Sequence, residues 1–117
     1  MADKIKIYQK PTCTKCRETI GILKERGVEF DSINYYETPL TVADLRDLLL
    51  KLGISARELL RKGEHAYREL KLGQRELTDA ELIELMVENP DLIQRPIVVR
   101  GKRAVLGRPP ETVEELF

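Results

Sequence analysis

The chain has no surplus of charge of either sign, because 20 Lys and Arg are matched by 20 Asp and Glu. General nucleic-acid and membrane-surface binders usually carry a basic excess, so no direct nucleic-acid partner and no membrane partner is expected. Long apolar runs are also missing. Met1-Ala2-Asp3-Lys4 leads straight into a strand pattern, nothing reads as a signal peptide or a membrane span, and a cytoplasmic protein is expected. Metal-ligating residues are scarce, with one histidine, His65, and two cysteines, Cys13 and Cys16. A zinc site takes about four ligands, so no metal is expected. His65 lies in a charged stretch with no identifiable partner for acid–base work and reads as a surface residue. No internal repeat and no low-complexity segment occurs. What remains, 117 residues that are 42% hydrophobic and 34% charged, suits one domain over 1–117 with one core.

Both cysteines fall in Tyr8-Gln9-Lys10-Pro11-Thr12-Cys13-Thr14-Lys15-Cys16-Arg17. Ile5, Ile7 and Tyr8 follow a strand pattern, Pro11 interrupts it, and Cys16, Ile20 and Leu23 follow at helical spacing. Cys13 is therefore expected in the first turn of a helix. There the unpaired N–H groups and the positive end of the macrodipole favour a thiolate, with Lys10, Lys15 and Arg17 adding positive charge. Lys10 is the candidate thiolate-stabilising cation. In a reducing compartment, Cys-x-x-Cys at a strand-to-helix turn points to redox or catalytic chemistry, in which one thiolate attacks and the second resolves the product as a disulfide. The plain alternative for Cys16, on the apolar face of its helix, is a small core residue.

Along the chain, residues 4–8 read as a strand, 14–26 as a helix stopped by Gly27, and 28–35 as a second strand. Short joints make this a right-handed βαβ unit with the cysteine turn at the carboxyl end of the first strand. Thr41 with Asp44 opens a helix carrying Leu45, Leu48, Leu49 and Leu52 up to Gly53. Ser55 with Glu58 opens a shorter one through Leu59 and Leu60, closed at Lys62-Gly63. A turn of helix is expected around 66–70. Thr78 with Glu81 opens the last of the group, which ends at Asn89-Pro90. Residues of about 41–92 thus form a helical insertion between two halves of a sheet. Residues 96–99 and 103–106 read as antiparallel strands joined at Gly101-Lys102, and a last short helix begins at Pro109-Pro110-Glu111. The order β-α-β, helices, β-β-α predicts an α/β fold with a mixed four-stranded sheet.

Between Arg95 and Arg108 there are five cations and no acid. Any single arginine would ordinarily be a solvated side chain or half of a weak ion pair. Arg61 at a helix end, Arg95 before Pro96 and Arg108 after Gly107, however, all stand where turns could aim them at one point. Pro96, opening a strand in this order of elements, is a candidate cis residue. If the three arginines converge on Cys13, the pocket pairs a nucleophilic thiolate with forked donors suited to a tetrahedral oxyanion.

With these residues in view, nearly the whole chain resembles the arsenate reductases of the glutaredoxin-coupled type, within the ArsC/Spx family. The resemblance rests on Tyr8 to Arg17, Leu59-Leu60-Arg61-Lys62, Asn89-Pro90, Gln94-Arg95-Pro96-Ile97-Val98 and Leu106-Gly107-Arg108-Pro109. It implies a thioredoxin-like fold, attack of Cys13 on arsenate, and oxyanion binding by Arg61, Arg95 and Arg108. It also implies a cis Arg95-Pro96 bond, no bound cofactor, and glutathione as co-substrate with glutaredoxin as the reducing partner. Two positions depart from the pattern: Gln9 stands where such reductases commonly have a histidine, and Cys16 completes a Cys-x-x-Cys that resembles the redox switch of Spx regulators. Two alternatives therefore stay open. One is a thiol switch binding the RNA polymerase α-subunit; the other is a general thiol-disulfide oxidoreductase indifferent to arsenate. Within the reductase reading itself, Cys16 could attack the adduct and form a Cys13–Cys16 disulfide for glutaredoxin or thioredoxin to reopen. Arg108, which a regulator does not need, favours catalysis.

Overall fold

The first strand is drawn out by alternation: in β1 (Ile5–Gln9) Ile5, Ile7 and Gln9 are buried while Lys6 is exposed. The computed structural model describes residues 4–117, and the reading of Met1-Ala2-Asp3 as a plain lead-in lies outside them. Helix α1 (Thr14–Glu25) follows, burying Cys16, Thr19 and Leu23 at steps of three and four residues. Its stop is closed by backbone hydrogen bonds. Gly27 at φ +69° donates to the Lys24 carbonyl at 3.0 Å, and Val28 donates to the Leu23 carbonyl at 3.4 Å. Val28 is spent on that stop, so β2 spans Phe30–Asn34 rather than starting at 28. Its far end is cut at Asn34, whose carbonyl accepts the N–H groups of Glu37 and Thr38 and whose side chain accepts that of Tyr36.

Strands β3 (Ile97–Arg100) and β4 (Arg103–Leu106) form the expected hairpin, with Gly101 at φ +61° in a two-residue turn. The four-stranded sheet has the order β2-β1-β3-β4. β1 runs parallel to β2 and antiparallel to β3, with Ile7 opposite both Ser32 and Val98. The final segment, Pro110–Leu116, is a 3₁₀ helix rather than an α-helix. Its buried residues, Pro110, Val113 and Leu116, recur every third position, which matches three residues per turn. Val113 and Leu116 complete a core with Ile5, Ile7, Leu23 and Val98. Arg26 clasps Glu114 through two hydrogen bonds, tying the end of α1 to this helix.

The chain gathers into two compact units, Met1–Thr38 with Arg95–Phe117, and Pro39–Gln94. The second contains the helical stretch expected over about 41–92. Here α2 (Val42–Leu52), α3 (Ala56–Leu59) and α5 (Asp79–Glu88) each begin with a reciprocal capping box, at Thr41/Asp44, Ser55/Glu58 and Thr78/Glu81. α2 and α3 lie against α5. α3 ends one residue before the expected Leu60, because Leu60 is extended and bridges Ile93. The short helix α4 (His65–Glu69) begins one residue before the expected turn. Among the described residues no helix is long and apolar enough to cross a membrane.

Candidate active site at the cysteine turn

The site begins where β1 becomes α1. The Cys13 N–H donates to the Lys10 carbonyl at 2.9 Å, closing a turn with Pro11 at its second position, and the Cys13 carbonyl accepts the Arg17 N–H at 3.1 Å. Cys13, at φ −85° and ψ 122°, is therefore the N-cap of α1, one position outside the first turn in which the periodicity placed it. No side-chain oxygen caps this helix and no acid lies in its first turn, so the positive end of the helix faces the thiol without competition.

Burial by itself would raise the Cys13 pKa, but hydrogen bonds from the Cys16 side chain and backbone and from the Arg95 guanidinium outweigh it and hold the thiol below its ordinary value. Cys16 is fully buried. Burial pushes its thiol up to about 12, with Cys13 adding to the rise and the Lys10 backbone and Arg95 opposing it. The pair thus divides its roles: Cys16 keeps its proton and donates, and Cys13 carries the charge. Both cysteines are free thiols.

The decisive cation comes from a distant part of the chain. Arg95 is 7% exposed and directly precedes β3, through an Arg95–Pro96 bond that is cis. Its Nη1 donates to the Tyr36 hydroxyl at 3.4 Å, and its carbonyl accepts from Arg108 Nη1 at 3.3 Å. Sequence reading did not anticipate a cis Arg108–Pro109 bond, the part played by Tyr35 and Tyr36, or Cys16 as a donor to Cys13. The only prior signal for the tyrosines was their place at the carboxyl end of the second strand. Tyr36 stacks on Tyr35 with ring centroids 5.0 Å apart, and Lys10 Nζ lies 4.6 Å from the Tyr36 centroid. Tyr35 is buried, which raises its hydroxyl pKa against the pull of Arg95 and keeps the phenol neutral. Gln9, at the departure from the reductase pattern, is buried and donates to the Ser32 hydroxyl at 2.9 Å.

The sheet unit therefore brings together Cys13, Cys16, Arg95, Pro96 and, through the Arg95 carbonyl, the exposed Arg108. Arg61 belongs to the helical unit. There its Nη1 donates to the Glu64 carboxylate at 2.9 Å and the Asp91 carbonyl at 3.2 Å. His65 is exposed and pairs with Glu69 at 2.8 Å. Among the described residues no group of three or more His, Cys, Asp or Glu side chains could hold a metal ion. A cavity of about 890 Å³ lies at the other end of β1, lined by Lys4, Ile5, Val28, Phe30, Arg100 and Phe117 among others, and no thiol borders it. Chemistry rather than concavity therefore locates the site.

The family model described as "ArsC family" matches residues 8–116. The chain is 51% identical over 117 residues to the uncharacterized protein YfgD of Escherichia coli K12, covering 99% of this chain and 98% of that one. It is 43% identical over 113 residues to the arsenate reductase of Escherichia coli K12, covering 97% of this chain and 80% of that one. Among solved structures, the arsenate reductase from Vibrio cholerae superposes with a TM-score of 0.94 at 42% identity, over 100% of both chains. The α/β architecture with its mixed four-stranded sheet is the thioredoxin-like fold of these relatives. With the match reaching from the cysteine turn through both cis prolines, the chain belongs to the ArsC family.

Proposed function

We propose that the protein is a thiol-dependent arsenate reductase. The observation that carries this reading is a Cys13 thiol held below its ordinary pKa at an uncapped helix start, with the buried Arg95 guanidinium against it. The names of its relatives supply arsenate as the substrate. In the first step the Cys13 thiolate forms a bond to arsenic, and one arsenate hydroxyl takes up a proton from solvent and leaves as water. Arsenic stays at +5. A guanidinium placed on the oxyanion as charge develops is commonly worth about 3 kcal/mol. In the second step another thiol gives up its proton and joins Cys13 in a disulfide. The two sulfurs supply two electrons, and the S–As bond breaks to release arsenite at +3.

Glutathione is the second thiol in this proposal, with glutaredoxin reopening the mixed disulfide. Cys16 is the competing candidate, since it already touches Cys13, though its high pKa makes it a poor nucleophile at neutral pH. Arg61 and Arg108 are nominated by the resemblance as further oxyanion ligands, which substitution of each by alanine tests. The deciding experiment is arsenate reduction with glutathione and glutaredoxin, compared with thioredoxin, on wild type, Cys13→Ser and Cys16→Ser. Turnover with glutathione that needs Cys13 and survives loss of Cys16 is expected. A single blocked turnover in Cys16→Ser would make Cys16 the resolving thiol, and no arsenate-dependent consumption of reductant in wild type would refute the reductase.

A further inference from the structure

Arg95 reaches the thiol from just before β3, on the side of β1 away from β2, and a long side chain in that position has many rotamers that would miss it. Its hydrogen bonds are few. Nη1 has the Tyr36 hydroxyl at 3.4 Å, whereas among the described residues Nε is buried without a hydrogen-bond partner, and so is the Tyr35 hydroxyl, although it lies near enough to the guanidinium to favour its charge. A buried guanidinium with an unpaired N–H is costly, so the contacts that it does make decide where it sits. Those contacts are aromatic and come from the turn after β2. Tyr36 is fixed by stacking on the buried Tyr35, at 5.0 Å and an interplanar angle of 29°, and by Lys10 Nζ over its ring.

We propose that Tyr36 is a positioning residue, whose hydroxyl, steadied by the Tyr35 stack, holds the Arg95 guanidinium at the Cys13 sulfur. It acts through Arg95 rather than on the substrate. The role of Arg95 toward arsenate rests on the proposed reductase function, but its role toward the thiol does not. The titratable and charged groups around this contact are Cys16 from α1, Lys10 from the cysteine turn, Tyr35 beside Tyr36, and Arg108 after β4, which donates to the Arg95 carbonyl. Removing the Tyr36 hydroxyl alone leaves Cys16, Lys10 and Arg108 in place and also takes a partner from the Tyr35 hydroxyl, which burial keeps neutral over the pH range of the test. Tyr36→Phe is therefore a clean probe, because it keeps the ring, the stack and the contact with Lys10.

The experiment measures the rate of iodoacetamide alkylation at Cys13, located by peptide mass spectrometry, from pH 5 to 9 in wild type, Tyr36→Phe, Arg95→Gln and the double variant. With Arg95 less firmly held, the Cys13 titration moves to higher pH. At pH 6 alkylation of Tyr36→Phe slows by about 2- to 10-fold, the value of one long hydrogen bond. Arg95→Gln moves the profile the same way, and adding Tyr36→Phe to it changes nothing further. An unchanged thermal transition in Tyr36→Phe separates this from loss of structure. A Tyr36→Phe profile that superimposes on wild type, or an equal extra shift in the Arg95→Gln background, overturns the inference. Because alkylation needs no arsenate, its outcome stands apart from the reductase assay: an inert wild type there refutes the function and leaves the positioning role standing.

Discussion

Gly107→Ala should be among the most damaging single-methyl additions to the sheet unit. A Cβ at Gly107 would lie 2.7 Å from Pro96 Cγ, 2.7 Å from Thr19 Oγ1 and 3.3 Å from Pro96 Cδ. Neither neighbour can give way cheaply. The Pro96 ring is rigid and its carbonyl accepts the Gly107 N–H at 2.9 Å, while Thr19 is fully buried with its hydroxyl donating to the Lys15 carbonyl at 2.8 Å. Gly107 does not have a left-handed φ, so the cost is steric alone. Overpacking of this kind costs about 1–3 kcal/mol, and 2 kcal/mol would lower the folding constant roughly 30-fold. Urea titrations of wild type and Gly107→Ala measure it. Gly21→Ala is the internal reference: it lies inside α1 with nothing within 4 Å of the added Cβ, and should gain about 0.5–1 kcal/mol. Relief by displacement of Pro96 would carry Arg95 with it, so Cys13 alkylation should slow in the same variant. If Gly107→Ala is as stable as wild type while Gly21→Ala gains as expected, the close approach of Gly107 to Pro96 and α1 is refuted.

Iodoacetamide at pH 7 should label Cys13 and leave Cys16 intact until the protein is unfolded, because Cys16 is fully buried and pushed up to about 12; equal labelling of the folded protein would contradict the division of roles. Since the Cys16 pKa is raised above the ordinary 9.0, its stabilising contribution is complete below that pH and is lost as pH climbs toward 12, by roughly 1 kcal/mol at pH 10. Cys16→Ala should therefore show a flatter stability profile than wild type over that alkaline window, whatever its stability at pH 7. Cys13, with a depressed pKa, has the opposite sign: its contribution is present above the ordinary thiol value and is lost as pH falls through its folded value. Thr78→Ala removes the hydroxyl that accepts the Glu81 N–H at 3.2 Å and should cost about 1 kcal/mol in urea unfolding, with Thr78→Ser recovering most of it.

What the amino-acid order determined by itself was local. The Schellman stop at Gly27, the three capping boxes, the Gly101-Lys102 hairpin and the change of period at Pro11 all involve residues within a few positions of one another, and so leave a readable pattern. The α/β class and the chemical suspicion that fell on Cys13 came from the same short-range signals. Boundaries moved where neighbours competed for one residue: Val28 went to the helix stop rather than β2, and Leu60 to a bridge with Ile93 rather than to a helix. Tertiary structure decided which cation faces the thiol. Lys10, Lys15 and Arg17 lie within four residues of Cys13, yet the cation that lowers the Cys13 pKa is Arg95, delivered because β3 pairs with β1, and the tyrosines beside it follow β2 on the far side of β1. Pairing between strands far apart in the chain is set by which faces can be buried together, a property of the whole assembled sheet that no short window of residues contains.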